Sequence, residues 1–217
     1  MTNPAQPWAA IVPVKRLALA KTRLSVPLPL RTRLALAMAV DTVAAAMSAT
    51  VVGQVVVVTD DADAAETMLA IGAEVVNDAP DAGLNPALLH GAAIATAGDP
   101  DRGVVAMSSD LPAVTGAALD QVLHGIGLGS AAFVADAGGT GTVLLAARPA
   151  HRFEPLFGSD SARRHAEAGA LDVTKLADSR VRRDVDTLAN LAAADALGCG
   201  AATAKVLAEH PELLAIE

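Results

Sequence analysis

Lys15, Lys21 and Arg23 follow the apolar run Ile11-Val-Pro-Val14 and lead into an Ala/Leu-rich segment. A run of that kind is a short strand, which puts the cations at its carboxyl end, where open α/β sheets bind ligands. Such a cluster suits an anion, and a polyphosphate is the obvious occupant. Carboxylates supply the complementary chemistry. In Val104-Val-Ala-Met-Ser-Ser-Asp110-Leu-Pro112 an apolar strand runs directly into Asp110, and Pro112 stops it from continuing as a paired strand. A carboxylate there is placed to hold Mg2+, a hard cation that prefers oxygen ligands and substrate phosphates. A turn or helix cap would use the same residue without a metal. In Arg182-Arg-Asp-Val-Asp-Thr187, Asp184 and Asp186 lie two apart in an extended segment and so face one side. One of them could complete a metal site with Asp110 while the other, or Thr187, caps the helix that follows.

Two further segments offer small polar groups. Asp136-Ala-Gly-Gly-Thr-Gly-Thr142 combines glycines, which permit close backbone approach, with hydroxyls that bind phosphate or carboxylate oxygens. A hairpin turn accounts for the same glycines. Phe157-Gly-Ser-Asp-Ser161 precedes Arg163, Arg164 and His165 on an expected helix start, whose N–H groups favour anions; His165 itself is expected to be a solvated helix residue. Asn85, in Gly83-Leu-Asn85, could bind a base edge or simply cap a helix.

The elements that must position these groups alternate. Strands are expected at 9–14, 54–59, 74–76, 103–107, 130–135 and 143–147, and helices at 31–48, 61–71, 85–97, 115–124, 161–168, 187–197 and 202–209. The continuous valines of 55–58 fit a parallel strand buried on both faces. The pattern predicts a single-domain α/β fold, a Rossmann-like and mostly parallel sheet flanked by helices. Residues 1–217 then form one domain, with 138–183 as an acceptor-binding lobe.

Bulk properties narrow the function. The 217 residues carry a net charge of −8 and include three Phe, one Trp and no Tyr. An acidic chain without aromatic platforms is a poor nucleic-acid binder, so a local basic cluster implies a specific anion site. The lone cysteine, Cys199, excludes an intrachain disulfide and a multi-cysteine zinc site. The start of the chain lacks a signal-peptide pattern and no run approaches a membrane span, so a cytoplasmic protein without a membrane partner is expected.

Taken together, Val12 to Ser25, Gly83-Leu-Asn85, Asp110-Leu-Pro112, Phe157-Gly-Ser-Asp-Ser161 and Asp184-Val-Asp-Thr187 resemble a known family. They match, in order and over nearly the whole chain, the 2-phospho-L-lactate/phosphoenolpyruvate guanylyltransferases of coenzyme F420 biosynthesis. These belong to the nucleotide-diphospho-sugar-transferase-like nucleotidyltransferases. The resemblance implies that GMP passes from GTP to a small phosphorylated three-carbon acid, phosphoenolpyruvate or 2-phospho-L-lactate, with release of pyrophosphate. It implies Mg2+ as cofactor, held by Asp110 and Asp186. Lys15, Lys21 and Arg23 would neutralise the triphosphate, with Asn85 on the nucleotide side and Thr142, Gly158 and Ser161 at the acceptor. The first loop has no Gly between Lys15 and Ser25, unlike the Gly-Gly loops of many sugar and molybdopterin relatives, which favours the guanylyltransferase branch. The alternatives are another acceptor (3-phosphoglycerate, a sugar phosphate or a molybdenum cofactor) or a non-catalytic nucleotide-binding module. A homodimer is compatible with the sequence, which does not fix the oligomeric state.

Overall fold

The computed structural model describes residues 7–79 and 81–215, so most of the N-terminal stretch that lacks a signal-peptide pattern lies outside the described residues. The strands are β1 (Trp8–Pro13), β2 (Val52–Val58), β3 (Glu74–Val76), β4 (Val104–Met107), β5 (Ser130–Ala135), β6 (Thr142–Arg148) and β7 (Leu171–Asp172). The helices are α1 (Leu28–Ser48), α2 (Ala62–Ala70), α3 (Leu84–Ala95), α4 (Gly116–His124), α5 (Ser161–Glu167), α6 (Ser179–Arg182), α7 (Leu188–Leu197) and α8 (Ala201–Glu209). The sheet is continuous, in the order β3-β2-β1-β4-β6-β5-β7. β6 runs antiparallel to both its neighbours, and the remaining pairs are parallel. The expected mostly parallel α/β architecture is the one observed.

Alternation along β1 shows how the sheet is buried. Trp8, Ala10 and Val12 join the apolar cluster beneath α1, α2 and α4, whereas Ala9 and Ile11 face the cluster formed with α3 and α5. Both faces are therefore covered, as valine-rich parallel strands require. α1 is sandwiched: Ala35, Ala39 and Val43 pack on the sheet, while Leu34 and Met38 pack against α7 and α8 in a third cluster. Asp41, buried on that helix, accepts the Ala202 and Thr203 N–H groups (3.0 and 2.8 Å) and so caps α8. A Cβ on Gly200 would lie 2.4 Å from that carboxylate, which fixes glycine there.

α1 begins at Leu28 rather than at the expected Arg31, because Pro29 is tolerated in a first helical turn, where its missing N–H has no partner to lose. Among the described residues, no helix is long and apolar enough to cross a membrane.

Candidate active site

The carboxyl ends of β1 and β4 open onto a cavity of about 610 Å³. Its first wall is the loop after β1. Leu17 to Leu19 form a single 3-10 turn, held by the Leu17 N–H on Asp61 Oδ2 (2.8 Å), whose Oδ1 caps α2 by accepting from Ala64. Lys21 follows in the left-handed conformation, φ 54°. With no glycine at that turn, a bulky residue adopts an uncommon backbone geometry, and this aims its side chain inward.

Lys21 Nζ reaches both Asp110 and Asp186, the latter at 3.0 Å, and Arg23 Nη1 lies 3.5 Å from the other oxygen of Asp186. Burial pulls the Lys21 pKa down, but Asp110 and Asp186 outweigh it and hold the group above its ordinary value. Lys21 is thus a cation bound between two carboxylates.

Backbone geometry brings those carboxylates together. Thr42 of α1 accepts the Leu111 N–H (3.1 Å) and fixes the turn after β4. The Val185 N–H then donates to the Asp110 carbonyl (3.1 Å), laying 184–186 alongside it. Thr187 is the cap of α7, accepting from Asn190 N at 3.2 Å in a reciprocal capping box. Asp186 is therefore released from capping, and its carboxylate is directed to Lys21 and Arg23. Asp184 lines the same cavity. Burial first, then the nearby Asp110, Asp136 and Asp186, push its carboxyl up to about 6.

The opposite wall carries the small polar groups. Thr142, Gly158 and Ser161 all line the cavity. Asp136–Gly141 is the β5–β6 hairpin turn: the Asp136 carboxylate accepts the Thr140 and Gly141 N–H groups (3.0 and 2.9 Å), and a Cβ on Gly141 would lie 2.4 Å from it. Those glycines serve the turn. Gly158, at φ 124°, makes a bend that side chains rarely adopt.

Two expectations change. Asn85 is not the cap of α3, which is Gly83 at φ 101°. Its amide is paired with the Phe157 backbone, accepting from N (2.8 Å) and donating to O (3.2 Å), so it supports the loop that carries Gly158 and is not among the cavity-lining residues. His165 is buried, 1% exposed, where solvation had been expected. Its Nδ1 lies 2.9 Å from Thr142 Oγ1 and its Nε2 accepts from the Leu156 N–H at 2.9 Å. The sequence did contain a signal: Ser161, Ala162 and His165 share one helix face, with Arg163, Arg164 and Glu167 away from it.

Burial, then the neighbouring Arg164 charge, push the His165 pKa from 6.5 down to about 4. As pH falls below 6.5, the unfolded chain takes up this proton and the folded chain does not until about 4, so acidification across that window favours unfolding. His165→Gln removes the effect. The stability of the wild type relative to this variant is expected to fall by about 2 kcal/mol between pH 7 and pH 5, measured by urea unfolding.

A second, smaller cavity of about 200 Å³ adjoins the first, sharing Pro13, Val14, Lys15, Leu19 and Leu84, and adds Asp60, Asp78 and Asp81. Chemically, the site offers cations on one wall and hydroxyls and backbone on the other, with Asp110, Asp184 and Asp186 between. Anionic ligands could share that space with three carboxylates only if a further cation offsets their charge. The Lys21 ammonium marks where such a cation is favoured, and the donors are the oxygens that Mg2+ prefers.

Known proteins share this arrangement of chain. The family model described as guanylyl transferase CofC like matches residues 8–188. A phosphoenolpyruvate guanylyltransferase of Thermomonospora curvata is 51% identical over 94% of this chain and 90% of that protein. One from Streptomyces coelicolor is 48% identical over 93% of this chain and 96% of its own length. A solved structure from Desulfovibrio desulfuricans G20 superposes with TM-score 0.68 at 19% identity, covering 95% of this chain and 96% of that one. That last likeness is one of fold.

Proposed function

The chain belongs to the CofC-like guanylyl transferase family, and from that premise we propose that it transfers GMP from GTP to phosphoenolpyruvate. The observation that carries this reading is the pairing of walls in one cavity: Lys15, Lys21 and Arg23 opposite Thr142, Gly158 and Ser161, with Asp110 and Asp186 between them. A phosphate oxygen of the acid, already anionic at neutral pH, attacks the α-phosphorus of GTP. The new P–O bond forms as the α–β bridging bond breaks and pyrophosphate departs. No general base is required.

Lys15, Lys21 and Arg23 bind the triphosphate and stabilise charge that builds on the leaving group. Thr142, Ser161 and the backbone at Gly158 hold the acid for attack. Asp110 and Asp186 would hold Mg2+, which when bound neutralises charge on the phosphates. Asp186 is preferred to Asp184 as the second ligand because the Lys21 ammonium bridges Asp110 and Asp186. A guanosine-diphosphate-linked acid of this kind is what coenzyme F420 assembly would consume.

The base is assigned to the smaller cavity. Guanine presents two donors on one edge, N1–H and the 2-amino group, and a carboxylate is their natural acceptor. Asp78 lines that cavity, and one of its carboxylate oxygens, Oδ1, is buried with no hydrogen-bond partner among the described residues. In Asp78→Asn, the preference for GTP over ITP (which lacks the 2-amino group) is expected to drop about 10-fold or more, read from kcat/KM. An unchanged ratio would remove Asp78 from base selection.

The direct test is pyrophosphate release by the purified protein with GTP and Mg2+, run separately with phosphoenolpyruvate, 2-phospho-L-lactate and 3-phosphoglycerate. Phosphoenolpyruvate is expected to support release, and EDTA to abolish it. Release with another acid alone would reassign the acceptor. Where no acid alone supports release, the enzyme that consumes the product is added to relieve product inhibition or instability. Failure under those conditions as well would overturn the reading.

A further inference from the structure

His165 is buried in α5 beside the cavity, with the Phe133 and Phe157 rings 6.0 and 5.3 Å from its own, centroid to centroid. The backbone fixes its tautomer. Nε2 is 2.9 Å from the Leu156 nitrogen, which can only donate, so Nε2 carries no hydrogen and must accept. In the neutral ring the proton then resides on Nδ1.

Nδ1 lies 2.9 Å from Thr142 Oγ1. With Nδ1 protonated, Thr142 can only accept from it, and the hydroxyl hydrogen has to be directed elsewhere. Thr142 lines the large cavity while being only 7% exposed. Its remaining hydrogen is consequently a donor available to a ligand.

We propose that His165 is a positioning residue of the acceptor site, fixing the Thr142 hydroxyl as a hydrogen-bond donor to an anionic oxygen of the phosphorylated acid. This rests on the function proposed above only for the identity of the ligand; the tautomer follows from the backbone alone. An acceptor-only ligand group, carboxylate or phosphate, matches a hydroxyl locked in this sense. A ligand that must itself donate at that point is rejected. The site thereby gains selectivity for the acid without placing a charge on this wall.

The two ends of the ring can be separated by substitution. In His165→Asn the amide nitrogen can take the place of Nδ1 and keep the donor to Thr142 while losing the Leu156 bond. In His165→Gln the amide oxygen can reach the Leu156 N–H while the donor to Thr142 is lost. The expected result is a KM for the acid raised about 10- to 100-fold in His165→Gln, the range for a hydrogen bond to a charged group. The KM for GTP stays within about threefold, and His165→Asn restores the acid KM to within about threefold of wild type. Adding Thr142→Val to His165→Gln should raise the acid KM no further, since both act through one hydroxyl. The reverse pattern, with Asn impaired and Gln normal, would mean that the ring merely anchors the loop at Leu156 and would overturn the proposal.

A readout without substrate separates this inference from the function itself. Nitrogen-15 NMR of the histidine rings at pH 7 is expected to show His165 as the neutral tautomer protonated at Nδ1. Protonation at Nε2 overturns the proposal whatever the enzyme's acceptor. If the tautomer is as expected and no acid supports turnover, it is the identity of the ligand that fails.

Discussion

Replacing Asp110 with Asn is expected to lower kcat for pyrophosphate release by about 10³-fold or more while leaving the fold intact. The substitution is nearly isosteric, and it acts at the one carboxylate that both follows the central strand β4 and meets the Lys21 ammonium. Its backbone role is unaffected, because the Val185 N–H donates to the Asp110 carbonyl and not to its side chain. Lys21 also keeps Asp186 at 3.0 Å, so no buried charge is left without a partner. The melting temperature should therefore move by only a few degrees, and far-ultraviolet circular dichroism should be unchanged. The loss falls on kcat because the charge it opposes is largest in the transition state. Turnover within about tenfold of wild type would remove Asp110 from the metal-binding role. The matching change at Asp184 separates the two downstream carboxylates: a smaller loss in Asp184→Asn than in Asp186→Asn is expected, since Lys21 contacts Asp186.

Much of this site was legible in the sequence because its parts obey local rules. An apolar strand ending in Lys15, or in Asp110 before a proline, announces a strand end whatever surrounds it. The valines of β2 predicted a strand with both faces covered, and they are buried between two apolar clusters. What stayed hidden depends on partners distant in the chain. Asn85 gave a reasonable local reading as a cap, yet its amide is paired with Phe157, 72 residues away. The start of α3 instead uses Gly83 in a conformation that the residue type permits but does not announce. His165 offered only a face shared with Ser161 and Ala162; its partners Thr142 and Leu156 meet it through the β5–β6 hairpin and the loop before α5. Asp41 is a similar case, an acid inside an Ala-rich helix that serves the N-terminus of α8, 161 residues on. Buried polar residues need partners, so a charged or imidazole side chain on an otherwise apolar helix face is the signal to pursue, although the sequence does not say which partner it has.

Lys21→Ala is expected to move two observables in opposite directions. The ammonium stands between Asp110 and Asp186, on the spot where a divalent cation would be favoured, and both carboxylates keep it protonated. With the nucleotide absent, Lys21 and the metal ion are competitors for the same oxygens. Deleting the amine leaves Asp110, Asp184 and Asp186 facing one another with less compensating charge, and binding of Mn2+ to the nucleotide-free protein should tighten by about 10-fold, a modest share of the attraction between neighbouring unit charges. Turnover should nevertheless fall about 10²- to 10³-fold, because the amine would pass from the carboxylates to the phosphates once metal and nucleotide occupy the site, and Lys21 is the most buried of the three cations Lys15, Lys21 and Arg23. Arg23 is largely exposed, and Lys15 is also exposed at the mouth of both cavities. Isothermal titration with Mn2+ and the pyrophosphate assay read the two effects independently. Weaker Mn2+ binding in the variant would place the cation elsewhere; unchanged turnover would make Lys21 a structural counter-ion of the empty site.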